Sequence, residues 1–165
     1  NHVNNWHIRR ADDARLAELV LPILRDERHL ALPDDALSRL KTAIPLVKEG
    51  AATLQALADL CLYAIKVRPL ALDDKTVGNL TDETRGRLAR LIEALRGAND
   101  WTPSGLQDLL KAFAESEGVG LGKIGPALRG VLSGGVQAPD LGSALASLGR
   151  DESIGRIEDA LSHLR

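Results

Sequence analysis

The sequence predicts an all-α fold, and three observations support this prediction. Apolar residues recur at the three- and four-residue spacing of a helix face along nearly the whole chain. No stretch alternates apolar and polar residues for long enough to form a useful β-strand. Glycine and proline separate one apolar stripe from the next, as is typical of helix ends.

The first two helices are marked by their apolar stripes and their start signals. The stripe of residues 16–24 follows Asp12–Asp13, whose carboxylates favour the positive end of a helix dipole. A second stripe follows Pro33–Asp35 and ends near Gly50. Pro45 lies late in this stripe, and we expect it to bend or shorten the helix because proline removes a backbone hydrogen bond.

Residues 53–65 predict a third helix that is more uniformly apolar and therefore central. Its Cys61 is predicted to be a small core residue, because no basic neighbourhood that would activate a thiol is visible. The helical pattern breaks at Val67–Leu70, where the residue before proline disfavours a helix. We predict a boundary here, between two small helical subdomains over residues 1–70 and 71–165.

The second subdomain is predicted to begin with one short helix and two long ones. The short helix covers Asp73–Leu80. Thr81–Glu83 opens the first long helix, because threonine caps a helix and acids suit its first turn, and Gly97 ends it. Thr102–Pro103 opens the next, since proline is favoured directly after the capping residue, and Gly118 ends it.

The rest of the chain predicts three further helices. The glycine-rich stretch Gly118–Gly122 leads to a short helix that carries Arg129 and ends at Ser133–Gly135. A helix over Pro139–Leu148 follows, and a last helix has an apolar stripe that extends to Leu164. Short helices between glycine-rich breaks can present a side chain and several amides to a ligand, which singles out Arg129 among the arginines.

Composition and charge limit the possible functions. The chain has 165 residues, of which 44% are hydrophobic and 27% charged, as in globular proteins. A net charge of −2 means that any nucleic-acid contact must be confined to a local surface. One cysteine excludes an internal disulfide, four histidines lack metal-ligand spacing, and no apolar run is long enough to span a bilayer. Because the chain starts at Asn1 and contains no methionine, we expect it to be part of a longer protein.

No constellation of residues indicates catalysis or a metal site. Gly118–Gly122 follows no predicted strand and lacks the spacing of a dinucleotide or phosphate loop. The acidic pairs lie at helix starts, where the helix dipole accounts for them, and His7 and His163 are isolated. The residues therefore predict a non-catalytic helical module. It either binds RNA through a local arginine face or binds another protein, with its surface arginines solvated and in salt bridges.

Several segments of the chain form a recognisable pattern. In the second half they are Trp101–Thr102, Leu109–Ala114, Gly118–Ile124, Pro126–Gly134, Ala138–Leu141 and Leu145–Gly149. In the first half they are Asn4–Arg9 and Thr53–Leu54 followed by Ala58. Together they resemble the C-terminal anticodon-binding region of bacterial glutamyl-tRNA synthetase, a class I aminoacyl-tRNA synthetase. The resemblance covers essentially the whole chain and is more specific in the second half.

This resemblance implies an α-helical cage that recognises the anticodon of tRNA. The family ligates glutamate to tRNA with ATP on an N-terminal Rossmann-type domain that carries HIGH and KMSKS-like motifs, and neither motif occurs here. The chain is therefore expected to have no catalytic residues and to be inactive alone. The resemblance implies that ATP and Mg²⁺ are bound by the missing N-terminal catalytic domain and that the protein is cytoplasmic, with no membrane partner.

The resemblance also implies which residues contact the anticodon. Arg129 corresponds to the arginine of the family's Pro-x-Leu-Arg stretch, which contacts the first anticodon base. A guanidinium can hydrogen-bond to the edge of a splayed base or stack on its face. Ala138, Pro139 and Leu141 correspond to a Thr-Pro-x-Leu turn that packs around the anticodon bases, although Ala138 lacks the hydroxyl of the threonine.

Gly50 departs from the family pattern in an informative way. Family members that accept only glutamate tRNA have an arginine four residues before the leucine of their Thr-Leu pair, which corresponds to Thr53–Leu54 here, so that the arginine corresponds to Gly50. This arginine distinguishes C from G at the third anticodon position. Glycine cannot make this contact, which is worth roughly 1–3 kcal/mol of discrimination. One interpretation is an enzyme that also accepts glutamine tRNA. The other is that Gly50 is a helix C-cap and that discrimination is supplied elsewhere.

A helical protein-interaction module with no RNA function is the alternative to an anticodon-binding module. The near-neutral charge and the four aromatic residues, two Trp, one Tyr and one Phe, favour this alternative, because aromatic side chains usually stack on bases. The resemblance outweighs both observations, since an interaction module has no reason to reproduce these segments. Recognition is expected to depend on Arg129 and the turn at Pro139 and Leu141, with little stacking.

Overall fold

The computed structural model describes residue 8 and residues 10–163. Predictions that involve Trp6, His7, Arg9 and Leu164 lie outside these residues. Within the described part of the chain there are α-helices, short 3-10 turns and one π turn, and no β-strand. The all-α prediction is confirmed. No helix in this part is long and apolar enough to cross a membrane.

The helices follow one another with short connections. They are α1 (Asp13–Pro22), α2 (Ala36–Val47), α3 (Leu54–Cys61), α4 (Asp74–Asn79), α5 (Asp82–Arg96), α6 (Pro103–Ser116), α7 (Gly125–Ser133), α8 (Leu141–Leu148) and α9 (Arg150–His163). A π turn over Ile23–Glu27 continues α1, and 3-10 turns cover Lys48–Gly50, Leu62–Ile65 and Leu121–Lys123.

Two compact units form the chain. The first contains the residues up to Val67 together with Gln137–Pro139, and the second contains Arg68–Val136 and the chain from Asp140 onward. In the first unit α1, α2 and α3 pack against one another. In the second unit α6 packs on α8, and α9 packs on α5 and α7. The short helix α4 packs on α7, and this pair forms the walls of the site described below.

The helices of the first unit bury the stripes that the sequence predicts. Leu40 and Ile44 of α2 are fully buried, and so is Leu57 of α3. Helix α2 continues through Pro45 to Val47 and then tightens into the 3-10 turn. The region predicted as the third helix is α3 with a 3-10 turn as its last part. Its Cys61 is fully buried, and burial raises the pKa of the thiol to about 12, as expected of a core cysteine.

Local capping fixes the helix starts of the second unit. The Thr81 hydroxyl accepts a hydrogen bond from the Thr84 amide at 3.2 Å, and α5 runs to Arg96 with Gly97 as its C-cap. The Thr102 hydroxyl accepts one from the Gly105 amide at 3.1 Å, and Pro103 is the first residue of α6. Both predicted start signals are confirmed.

Candidate nucleic-acid interface

Helix α7 carries Arg129 on its exposed side. Its other side is buried, with Leu128 and Val131 inaccessible to solvent. Pro126 lies in its first turn, where the lost amide hydrogen has no helical partner in any case. The burial of one side therefore fixes the helix on its unit and leaves the Arg129 side chain facing solvent.

The turn after α7 is held by the Ser133 side chain. Its hydroxyl donates to the Arg129 carbonyl at 2.7 Å and accepts from the Gly135 amide at 3.1 Å. Gly134 adopts a left-handed conformation with φ of 73°, and its amide donates to the Gly130 carbonyl at 2.7 Å. These bonds use the carbonyls of Arg129 and Gly130 and set the position of the helix end next to Arg129.

Helices α4 and α7 enclose an open cleft of about 540 Å³ in the second unit. The two helices approach closely because Gly130 has no Cβ, and a Cβ at this position would collide with the side chain of Thr76. The cleft is lined by Arg129 and Leu141 among the predicted site residues. It is also lined by Lys75 and Asn79 of α4, which the sequence analysis did not select. The cleft therefore combines an apolar contact with groups that bind a base edge or a phosphate.

One carboxylate faces this cleft, that of Asp73. Its Oδ1 accepts a hydrogen bond from the Thr76 amide at 3.0 Å and so caps α4. Hydrogen bonds from the side chain and the amide of Thr76 hold the pKa of Asp73 below its usual value. Of the aromatic residues that the structure describes, Tyr63, Trp101 and Phe113, none lines the cleft. A base in the cleft would contact the guanidinium of Arg129 and aliphatic carbon rather than an aromatic ring.

Leu141 is the first residue of α8 and lies at the cleft with only 7% of its surface exposed. The helix starts two residues later than predicted, because Asp140 and not Pro139 precedes its first turn as the capping residue. The Asp140 carboxylate accepts hydrogen bonds from the Ser143 amide at 3.1 Å and the Ser143 hydroxyl at 2.8 Å. Ala138 and Pro139 are half-buried and belong to the first unit.

Gly50 is the exposed last residue of the 3-10 turn after α2, in the first unit. The C-cap of α2 is Lys48, so Gly50 does not cap this α-helix. Its φ is not in the left-handed region, and a Cβ added to it would lie 3.5 Å from Leu60 Cδ1, an ordinary van der Waals contact. The backbone therefore accepts a larger residue at position 50, and glycine is not required by the fold.

Sequence reasoning missed the buried Arg156 of α9. Its side chain has no exposed surface, its Nε donates to Glu152 Oε2 at 2.7 Å, and its Nη1 donates to the Leu132 carbonyl at 2.6 Å. Arg156 thus ties α9 to the last turn of α7, close to Arg129 in sequence. The available signal was its place on the buried stripe of α9, three residues after Ser153 and four before Ala160.

Other arginines pair with acids, but the prediction of a solvated face is wrong for Arg87, which is buried with 8% of its surface exposed, whereas Arg90 is exposed. Arg87 Nη2 is 2.5 Å from Glu83 Oε1, and Arg90 donates two hydrogen bonds to the carboxylate of Glu117, at 2.9 and 2.6 Å. These bonds hold the pKa of Glu117 below its usual value. Within residues 8 and 10–163, no group of three or more His, Cys, Asp or Glu side chains is arranged to hold a metal ion.

Comparison with protein families identifies the chain. The family model described as anticodon binding domain matches residues 15–161. The chain belongs to this family. This anticodon-binding domain is 54% identical to a glutamate–tRNA ligase of Caulobacter vibrioides over 162 residues, which are 98% of the chain and 34% of the relative. It is 45% identical to glutamate–tRNA ligase 2 of Maricaulis maris over 165 residues, again 98% of the chain and 34% of the relative.

A solved structure has the same fold as this anticodon-binding domain. The crystal structure of a glutamate tRNA ligase from Elizabethkingia meningosepticum superposes with a TM-score of 0.76 over 98% of the chain and 31% of that structure, at 23% sequence identity. This likeness shows the fold alone. The anticodon-binding domain spans about a third of the length of the curated relatives that it matches.

Proposed function

We propose that the chain recognises the anticodon loop of glutamate tRNA as part of a glutamate–tRNA ligase. The observation that carries the proposal is an exposed Arg129 at an open cleft in a domain of the anticodon-binding family. The cleft is open enough for an unpaired base, and Arg129 supplies donors for the edge of that base. We assign the ligation with ATP and Mg²⁺ to the part of such a ligase outside this chain, and its site of action to the cytoplasm.

Binding of the chain to an RNA hairpin with the anticodon stem and loop of a glutamate tRNA tests this proposal. Arg129→Ala removes the proposed base contact, worth about 1–3 kcal/mol, so Kd should rise roughly 5- to 150-fold. Arg15→Ala is the matched control, because Arg15 is exposed and pairs with Glu18 on the surface of the first unit. Equal affinities of the wild-type chain and the Arg129→Ala variant would show that Arg129 does not contact the RNA.

We also propose that the parent ligase accepts glutamine tRNA as well as glutamate tRNA. The support is Gly50, which has no side chain to distinguish C from G at the third anticodon position and which the backbone does not require. Hairpins that differ only at this base should bind the wild-type chain within about threefold, whereas Gly50→Arg should prefer C by about tenfold or more. A strong preference of the wild-type chain for C would contradict the proposal. The charging of both tRNAs by the full-length parent ligase gives the same test on the reaction.

A further inference from the structure

A second cavity, of about 240 Å³, lies beside the cleft in the second unit. Asn79, Gly122 and Pro126 line both cavities, so that the two are neighbours at the start of α7, and together they are called the groove. Arg129 lines only the larger cavity, and Lys123 lines only the smaller one. The groove therefore extends beyond the place where Arg129 would contact a base.

The charged side chains of this groove are mostly cationic. Lys75, Lys123 and Arg129 line it together with the single carboxylate of Asp73, in a chain whose net charge is −2. Lys123 is exposed and makes no ion pair with any residue that the structure describes. Its ammonium group is a point charge with three donors, which suits a phosphate better than a base edge. The excess of positive charge in the groove therefore favours a polyanion.

The two cations come from adjacent segments of the chain. Lys123 is the last residue of the 3-10 turn over Leu121–Lys123, and Arg129 lies in α7, which begins at Gly125. Pro126, which lies between them in sequence, lines both cavities. Neighbouring cavities of this kind can hold neighbouring parts of one RNA strand, with a base in one and a phosphate in the other.

We infer that the smaller cavity is a phosphate subsite. It holds the sugar–phosphate backbone of an anticodon-loop nucleotide close to the one that Arg129 contacts, with Lys123 Nζ donating to a phosphate oxygen. This inference rests on the proposed function, because it takes RNA as the ligand of the larger cavity. Phosphate contacts position the RNA and carry no sequence information, so the contributions of Lys123 and Arg129 are separable.

The test is the salt dependence of hairpin binding by the 165-residue chain. One phosphate contact on single-stranded RNA changes the slope of log K against log salt by about 0.7, which corresponds to about fivefold in affinity at 0.1 M salt. Lys123→Ala should therefore bind about fivefold more weakly at 0.1 M salt and with a shallower slope, whatever the anticodon bases. Lys111→Ala is the matched control, because Lys111 is exposed on α6 and lines neither cavity, and it should keep the wild-type slope.

A second variant adds negative charge to the subsite and keeps Lys123. Gly78 lines the smaller cavity, and a Cβ there meets no atom within 4 Å, so Gly78→Glu adds a carboxylate at the wall of the subsite. Binding should weaken at 0.1 M salt and recover relative to the wild-type chain as salt rises. Wild-type slopes for both Lys123→Ala and Gly78→Glu would overturn the phosphate subsite alone, provided that Arg129→Ala impairs binding. Failure of the wild-type chain to bind the hairpin would overturn the proposed function and the subsite with it.

Discussion

Replacement of Arg156 by alanine tests how the end of α7 is held in place. Arg156 donates to the Glu152 carboxylate and to the Leu132 carbonyl from a side chain with no exposed surface, while the Glu152 side chain is 16% exposed. Its removal leaves the Leu132 carbonyl without this donor, at a cost of about 1–3 kcal/mol. It also removes the Arg156 hydrogen bond from a largely buried carboxylate, and breaking a buried ion pair costs about 3–5 kcal/mol in all.

We therefore expect Arg156→Ala to lower the free energy of unfolding by about 3–5 kcal/mol, a large part of the stability of a small domain. Urea unfolding followed by tryptophan fluorescence measures it. A Trp6→Phe background leaves Trp101 as the reporter, and Trp101 belongs to the second unit, where its Nε1 donates to the Leu145 carbonyl at 3.0 Å.

The exposed pair of Arg15 and Glu18 provides the comparison. Its side chains are 64% and 55% exposed, so Arg15→Ala should change the free energy of unfolding by less than about 1 kcal/mol. Arg156→Lys keeps the charge but loses the planar guanidinium, so its loss in the free energy of unfolding should lie between those of Arg15→Ala and Arg156→Ala. A loss below about 1 kcal/mol for Arg156→Ala, at an unchanged urea slope, would refute the reasoning that this buried arginine anchors α7.

Two further predictions concern single titrating groups. Arg68 donates two hydrogen bonds to the Asp159 carboxylate, at 2.7 and 3.0 Å, and holds the pKa of that carboxyl below its usual value. The contribution of this pair to the free energy of unfolding is therefore present above about pH 4 and is lost as the pH falls through the lowered pKa. Asp159→Asn should therefore destabilise the chain in urea at pH 7, and the difference from the wild-type chain should vanish in strong acid; a difference that persists there would contradict this cause. The buried Cys61 thiol should react with a disulfide reagent only after unfolding, because burial raises its pKa to about 12, and rapid labelling of the native chain would contradict its place in the core.

Helix starts and ends were predictable because they depend on neighbours in sequence. Thr102 and Pro103 are adjacent, and the bond that caps α6 spans only three residues. The start of α8 was placed two residues too early because both Pro139 and Asp140 are start signals. Only the bonds from Ser143 show that the carboxylate of Asp140 is the cap.

The cleft and its anchor depend on contacts that no local pattern encodes. Gly130 approaches Thr76 across more than fifty residues of sequence, and this approach sets the spacing of α4 and α7. Lys75 lies on α4, a helix of six residues. The sequence predicted this helix but not that it packs against α7. The position of Arg129 could be anticipated from the resemblance, whereas the groove that surrounds it required the tertiary structure.

The proposed function depends most on contact between Arg129 and the first anticodon base. A double-mutant cycle tests it most directly, with the wild-type chain and Arg129→Ala each titrated with an intact hairpin and with a hairpin that lacks the base at the first anticodon position. Arg129→Ala should weaken binding to the intact hairpin by about 1–3 kcal/mol and have almost no effect on binding to the abasic one. Equal losses on both hairpins would contradict the claim, because Arg129 would then act on the RNA without contacting that base.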